Sequence, residues 1–265
     1  MIIDFHTHTF PDALAERALS VLKQNCSESA YTDATCDGLC ASMATAKIDI
    51  SVVQPIATRP KQVASISAWA VQVQQNYDNL ICFGSLHPQM EDAAEQIAYL
   101  VDHGIRGVKL HPDYQGFFVD DPLAFPLYRA LEEAGIVLLL HAGLDIGLPE
   151  PVHCTPERLA RVLDTFPNLT VVAAHMGGYR RWDEVYQHLC GRDLYFDTSY
   201  SFNDMGAQAM KNLVLAHGMD KVLFGTDSPW ADQNIEVQAI RSLGLSSEQT
   251  EAVFYGNAAR LITLP

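Results

Sequence analysis

Short apolar runs recur along this chain, and a stretch with helical spacing of apolar positions follows almost every one. The runs lie at Ile2–Phe5, Ile50–Val53, Leu80–Leu86, Gly107–Leu110, Ile136–Leu140, Thr170–Ala174, Leu194–Phe196 and Lys221–Phe224. Each reads as a strand that is apolar throughout rather than alternating, as expected for a parallel sheet covered on both faces. Between them the spacing predicts helices over 12–25 and 36–47, then 61–77, 91–101, 122–134, 155–166, 181–190 and 205–217. Thr155 before Pro156 marks a helix start. Helices over 234–242 and 247–255 close the chain, with 257–261 behind them. Eight strands separated by helices predict an α/β fold, a (β/α)8 TIM barrel forming one domain over residues 1–265. No Gly-x-Gly-x-x-Gly follows the first strand, which disfavours an open dinucleotide-binding sheet. The first connection, 10–47, holds two helices and is longer than the rest, so it reads as a lid, a dimer contact or both.

Composition narrows the partners. The 265 residues match the ~250 residues usual for such a barrel. A net charge of −15 argues against nucleic acid, which asks for a basic footprint. No apolar run reaches the ~18 residues of a membrane span, and no basic segment followed by an apolar one opens the chain. The six cysteines form no Cys-x-x-Cys and no disulfide framework. The expectation is a reduced, cytoplasmic protein acting on a small molecule, with a homodimer as the default assembly.

The polar residues at the strand ends carry the chemistry. In a barrel of this kind the site is built at the C-terminal ends of the strands. Six of the ten histidines fall there: His6, His8, His87, His111, His141 and His175. Lys109, Asp197 and Asp227 join them. Alternation along the first strand places Asp4, His6 and His8 on one face, with Ile3, Phe5 and Thr7 on the other. Two imidazoles on one face can converge on a transition metal.

Six segments in order resemble the metal-dependent amidohydrolase superfamily, and within it the branch of proteins like aminocarboxymuconate semialdehyde decarboxylase. They are Asp4-Phe-His-Thr-His, Gly107-Val-Lys-Leu-His-Pro, His141-Ala-Gly, Ala174-His-Met-Gly-Gly, Phe224-Gly-Thr-Asp-Ser-Pro-Trp and Gly256-Asn-Ala-Ala-Arg-Leu. The resemblance implies that His6, His8, His141 and Asp227 ligate one divalent metal, zinc first and manganese as the alternative. It also implies that His175 acts beside the metal and that Asp227 takes a proton from a metal-bound water. Lys109 on the fourth strand either pairs with a carboxylate or, carboxylated, bridges a second metal; the first reading is preferred. His111, Arg59 and Trp230 are candidate substrate contacts, and Asp197 is left outside the catalytic set as a turn cap.

The first functional reading is a metal-dependent hydrolase cleaving a C–N or C–O bond of a small, carboxylated molecule. The alternative uses the same site for non-oxidative decarboxylation. A catalytically silent barrel used for binding is the reading from a different class, and burying so many polar groups without use argues against it.

Overall fold

The computed structural model describes residues 1–25 and 29–264; Cys26 of the predicted loop after the first helix lies outside them. The strands are β1 (Ile3–Thr7), β2 (Ile50–Val53), β3 (Leu80–Cys82, resuming after Phe83 as Gly84–Ser85), β4 (Gly107–Leu110), β5 (Val137–Leu140), β6 (Val171–Ala173), β7 (Tyr195–Asp197) and β8 (Val222–Leu223). All pair in parallel and in chain order. The first piece of β3 pairs with β2 and the second with β4, so one strand joins the two runs of sheet. Backbone bonds from Phe5 N–H to Phe224 O (2.8 Å) and from Asp227 N–H to His6 O (2.7 Å) tie β1 to the β8 end and close the barrel.

The strands are buried on both faces, which is why their sequences do not alternate. Phe5, Val52, Phe83, Leu139, Val172 and Leu223 belong to the inner cluster. Leu110, Leu138 and Leu140 pack outward with helix residues such as Leu131, Leu159 and Val214.

Helix Asp12–Asn25 and helix Cys36–Ala46 fill the first connection as expected. Thr155 Oγ1 accepts the Arg158 N–H to cap the helix Pro156–Thr165. The helix expected over 205–217 divides at Gly206 into Phe202–Met205 and Ala207–His217. The final helix keeps α-form over Ser247–Glu251 and continues as a π turn, Ala252–Gly256.

Strict alternation along β1 does not hold. Its register against β2 shifts between Asp4 and Thr7, and one extra residue at a bulge re-aims the side chains around it. Phe5 turns inward against Phe83 with ring centroids 5.6 Å apart. Asp4 points away from the histidines and accepts hydrogen bonds from Thr226 and from Gln233 of helix Gln233–Ser242. His6 and His8 both turn toward Asp227. Among the described residues no helix is long and apolar enough to cross a membrane, and Cys36, Cys40, Cys82, Cys154 and Cys190 are free thiols.

Candidate metal centre and its cavity

At the C-terminal mouth of the barrel lies one cavity of about 710 Å³, lined by His6, His8, Lys109, His141, His175 and Asp227 among others. His8 Nε2 lies 3.1 Å from Asp227 Oδ1, and His6 Nε2 lies 3.6 Å from the same oxygen. The two Nε2 atoms are 3.2 Å apart.

Hydrogen bonding at the other ring nitrogens fixes what these atoms can do. His6 Nδ1–H donates to Asp197 Oδ2 at 2.9 Å, and His8 Nδ1–H donates to the Gln54 carbonyl at 2.7 Å. Each acceptor can only accept, so in the neutral rings both Nε2 atoms present lone pairs. Two lone pairs and a carboxylate oxygen facing one another repel unless a cation stands among them. The Lys109 ammonium supplies part of that charge, with Nζ 3.2 Å from His6 Nε2.

A second chain of hydrogen bonds runs through His141. His175 Nδ1–H donates to the Ser199 carbonyl at 3.0 Å, which leaves His175 Nε2 as an acceptor. His141 Nδ1–H fills it at 3.0 Å, so His141 Nε2 is a bare lone pair. That atom is buried and has no hydrogen-bond partner among the described residues. Burial, and then the charges of His111 and His175, hold the His141 pKa well below the usual imidazole range, so the ring is neutral. A divalent cation would satisfy this orphaned nitrogen, and the donor set of imidazoles plus one carboxylate suits a first-row metal.

The four predicted ligands all keep a donor atom open, but they are not gathered equally. His6, His8 and Asp227 form one tight group, whereas His141 groups with His111 and Asp145. His111 caps the short helix Pro112–Gln115, accepting the Tyr114 N–H at Nδ1. Its Nε2 lies 3.2 Å from Asp145 Oδ2. Its ring stacks on His141 with centroids 4.1 Å apart and 9° between the planes.

The backbone is shaped to bring these groups in. His175 and Asp227 both adopt positive φ, 59° and 68°, a region that His and Asp tolerate better than bulkier side chains. Asp197 Oδ1 holds the His175 N–H at 3.0 Å in that turn. Gly225 lets β8 approach β1, because a Cβ there would stand 2.9 Å from His6 Cβ.

Electrostatics separates the groups. Burial, followed by the charge of Lys109, lowers the His6 pKa to about 4. Burial lowers Lys109 itself to about 8, against the pull of Asp197 and Asp227. Burial would raise the Asp227 carboxyl, but its contact with His8 and the neighbouring imidazoles outweigh it and hold the group well below the usual carboxylate range.

Of the other expected contacts, Trp230 and His111 line the cavity. Arg59 does not: it is exposed, and the wall nearby is made by Ile56 and Thr58. A guanidinium with no buried anion to meet stays hydrated. His87 is buried but sits outside the cavity, where its Nδ1 accepts the Gln89 N–H. Asp197, set aside as a turn cap, does cap the turn through Ser199 N–H and also orients His6. Its place at the end of β7 was the only signal in the sequence. Gln54, just past β2, acts through its backbone carbonyl, which no side-chain pattern marks, and Asp145 and Ser199 lie in loops without periodicity.

The amidohydrolase family model matches residues 3–264. The chain belongs to the amidohydrolase family. A 2-amino-3-carboxymuconate-6-semialdehyde decarboxylase of Dictyostelium discoideum is 26% identical over 238 residues, covering 72% of this chain. This chain spans 63% of that relative's length. The crystal structure of 5-carboxyvanillate decarboxylase from Sphingomonas paucimobilis superposes with a TM-score of 0.78 at 17% identity, covering 100% of this chain and 99% of that one. The Novosphingobium aromaticivorans 5-carboxyvanillate decarboxylase, complexed with manganese and a nitrobenzoic acid, gives 0.75 at 17% identity over 98% and 95% of the two chains. These likenesses establish the TIM-barrel amidohydrolase fold.

Proposed function

We propose that this enzyme is a metal-dependent, non-oxidative decarboxylase of a small organic acid, rather than the hydrolase that the motifs alone put first. The observation that carries the choice is the relatives, which are decarboxylases by name: the curated one matches 72% of the chain in sequence, and the two solved structures share its fold over 98–100% of it. The cavity chemistry agrees with an acid as substrate. Lys109 is 1% exposed and sits at the cavity floor beside His6, where it would meet a carboxylate as a point charge.

In this reading His6, His8 and Asp227, joined by His141, hold one divalent metal. When bound, the ion would act as a Lewis acid that polarises an oxygen of the substrate. Asp197 and the Gln54 carbonyl keep the two β1 imidazoles in the tautomer that offers Nε2. Lys109 orients the carboxylate, and Trp230 walls the reacting end of the cavity. His175, anchored at Nδ1 by the Ser199 carbonyl, takes up a proton at Nε2 in place of the bond from His141 and passes it to the carbon that bears the carboxylate. The C–C bond then breaks, CO2 leaves, and the bonding electrons return to the substrate framework.

The test uses protein loaded with manganese or zinc, a panel of aromatic and unsaturated carboxylates including 5-carboxyvanillate, and D2O or 18O-labelled water. Decarboxylation releases CO2 and places one deuterium on the carbon that lost it. A product that carries 18O and is formed without CO2 would return the enzyme to hydrolysis.

A further inference from the structure

The cavity is larger and more apolar than the chemistry at its floor requires. Its outer half runs between helix Asp12–Asn25 and helix Val63–Asn76. Helix Asp12–Asn25 is apolar on two adjoining stripes. Ala15 and Leu19 are buried and dock it to the body, and among its described side chains they alone are buried. Leu14, Ala18, Val21 and Leu22 form the second stripe, at the i, i+4, i+7, i+8 spacing of one helix face, and all four line the cavity. A surface helix needs one apolar stripe to dock; the second serves something else. Leu14 and Val21 stay 52% and 50% exposed. Across the cavity stand Ile66 and Trp69, half-buried and facing the same space. Among the described residues Arg17, at the rim, is the one charged side chain of this outer half.

A cavity of about 710 Å³ lies within the roughly 300–1,000 Å³ of small-molecule sites, yet a single ring bearing a carboxylate would occupy only its floor. The second stripe is continuous with that floor, which distinguishes it from an outward-facing docking patch. We propose that the substrate is an amphiphilic carboxylic acid, with its carboxylate at Lys109 and a hydrocarbon or alkyl-aryl tail seated between helices Asp12–Asn25 and Val63–Asn76. The proposal rests on the carboxylate substrate argued above but not on the fate of that carboxylate. Leu14, Val21 and Trp69 then set specificity by tail length, and the first connection serves as one wall of the substrate site.

Calorimetric titration of the full-length, metal-loaded protein with 4-alkylbenzoates, from the unsubstituted acid to hexyl, reads this directly. Each methylene that leaves water should tighten binding about threefold to fourfold until the cavity is filled. In the double variant Leu14→Gln, Val21→Gln that gain should shrink to little or nothing while benzoate itself binds as before. Both side chains are exposed, and Gln keeps the helix. No gain with tail length in the natural protein would overturn the proposal, as would an undiminished gain in the variant. Failure of every member to bind would overturn the carboxylate anchor. A flat series together with a dimer that the variant dissociates in sedimentation would assign the stripe to a second copy of the chain. Tail-length dependence without CO2 release from any acid would uphold the tail site and sink decarboxylation alone.

Discussion

Two buried clusters of acids flank β1, and they hold their protons in opposite ways. On the cavity side Asp197 accepts hydrogen bonds from His6 and from the His175 and Ser199 amides. Burial opposes its ionisation, but the imidazoles of His6 and His175 outweigh burial and keep the carboxyl well below the usual range. Behind the strand Asp4 is no less buried and no less bonded, by Thr226 N–H, Thr226 O–H, Gln233 and the His6 amide. All its donors are neutral, and burial pushes its pKa up to about 7. Glu236, from the same helix as Gln233, is pushed up to about 8 by burial and then by Asp4. The number of hydrogen bonds does not decide the charge of a buried carboxyl; the ionisable partners beside it do. The chain keeps its low-pKa carboxyls on the side of the proposed metal centre and its raised ones on the other.

The contrast breaks most sharply at Asp227. Asp227→Asn keeps the shape but loses the anion of the tight group. Metal content should fall and turnover should drop by at least about 10²–10³, with the melting temperature nearly unchanged. Elemental analysis and CO2 release together check it, and full activity would remove Asp227 from its role. Asp197→Asn comes next. It leaves His6 in place without the acceptor that fixes its tautomer, so metal affinity should weaken about 10–100-fold in a chelator competition. The same change at Asp4 should leave metal affinity alone; equal losses at both sites would erase the distinction between the clusters. Gly225→Ala pushes on both. Its methyl group would stand 2.9 Å from His6 Cβ, between backbones that cannot part freely. A loss of about 1–3 kcal/mol of stability is expected, with weaker metal binding alongside.

Much of this was legible in the sequence because it depends on period and place. Uniformly apolar strands separated by helices specify a sheet covered on both faces, and every predicted strand is found. Strand ends put His6, His8, Lys109, His141, His175 and Asp227 at one mouth, where they line the cavity, but they offered His87 as well, and the family resemblance supplied the roles. What stayed hidden depends on contacts between distant parts of the chain. The bulge in β1 is a pairing event with β2, so alternation misplaced Asp4. Asp197 could be read as a turn cap from its place at the end of β7, but its bond to His6 spans 191 positions. Arg59 failed for a simpler reason: being near the site in sequence does not turn a side chain inward. The split between His141 and the other three proposed ligands lies in where their donor atoms meet, on which sequence is silent.

The finest test leaves the cavity untouched. Glu236 Oε2 is buried without a hydrogen-bond partner among the described residues, within reach of the Asp4 charge. A carboxyl whose pKa is higher folded than unfolded binds more protons in the folded chain between the two values, so stability falls as pH rises through that interval. For Glu236 the interval runs from 4.5 to about 8. Below it the group is protonated in both states and costs nothing through ionisation; above it the folded chain must bury a charge. Glu236→Gln removes that titration. Urea unfolding should show little difference between variant and natural protein near pH 5, and a more stable variant at pH 9 by on the order of a few kcal/mol. Some alkaline loss should remain in the variant, because Asp4 still titrates near 7. Metal affinity and turnover should be the same in both proteins. Parallel pH curves would mean that Glu236 is already ionised at neutral pH, and that a cation reaches behind β1 as well as in front of it.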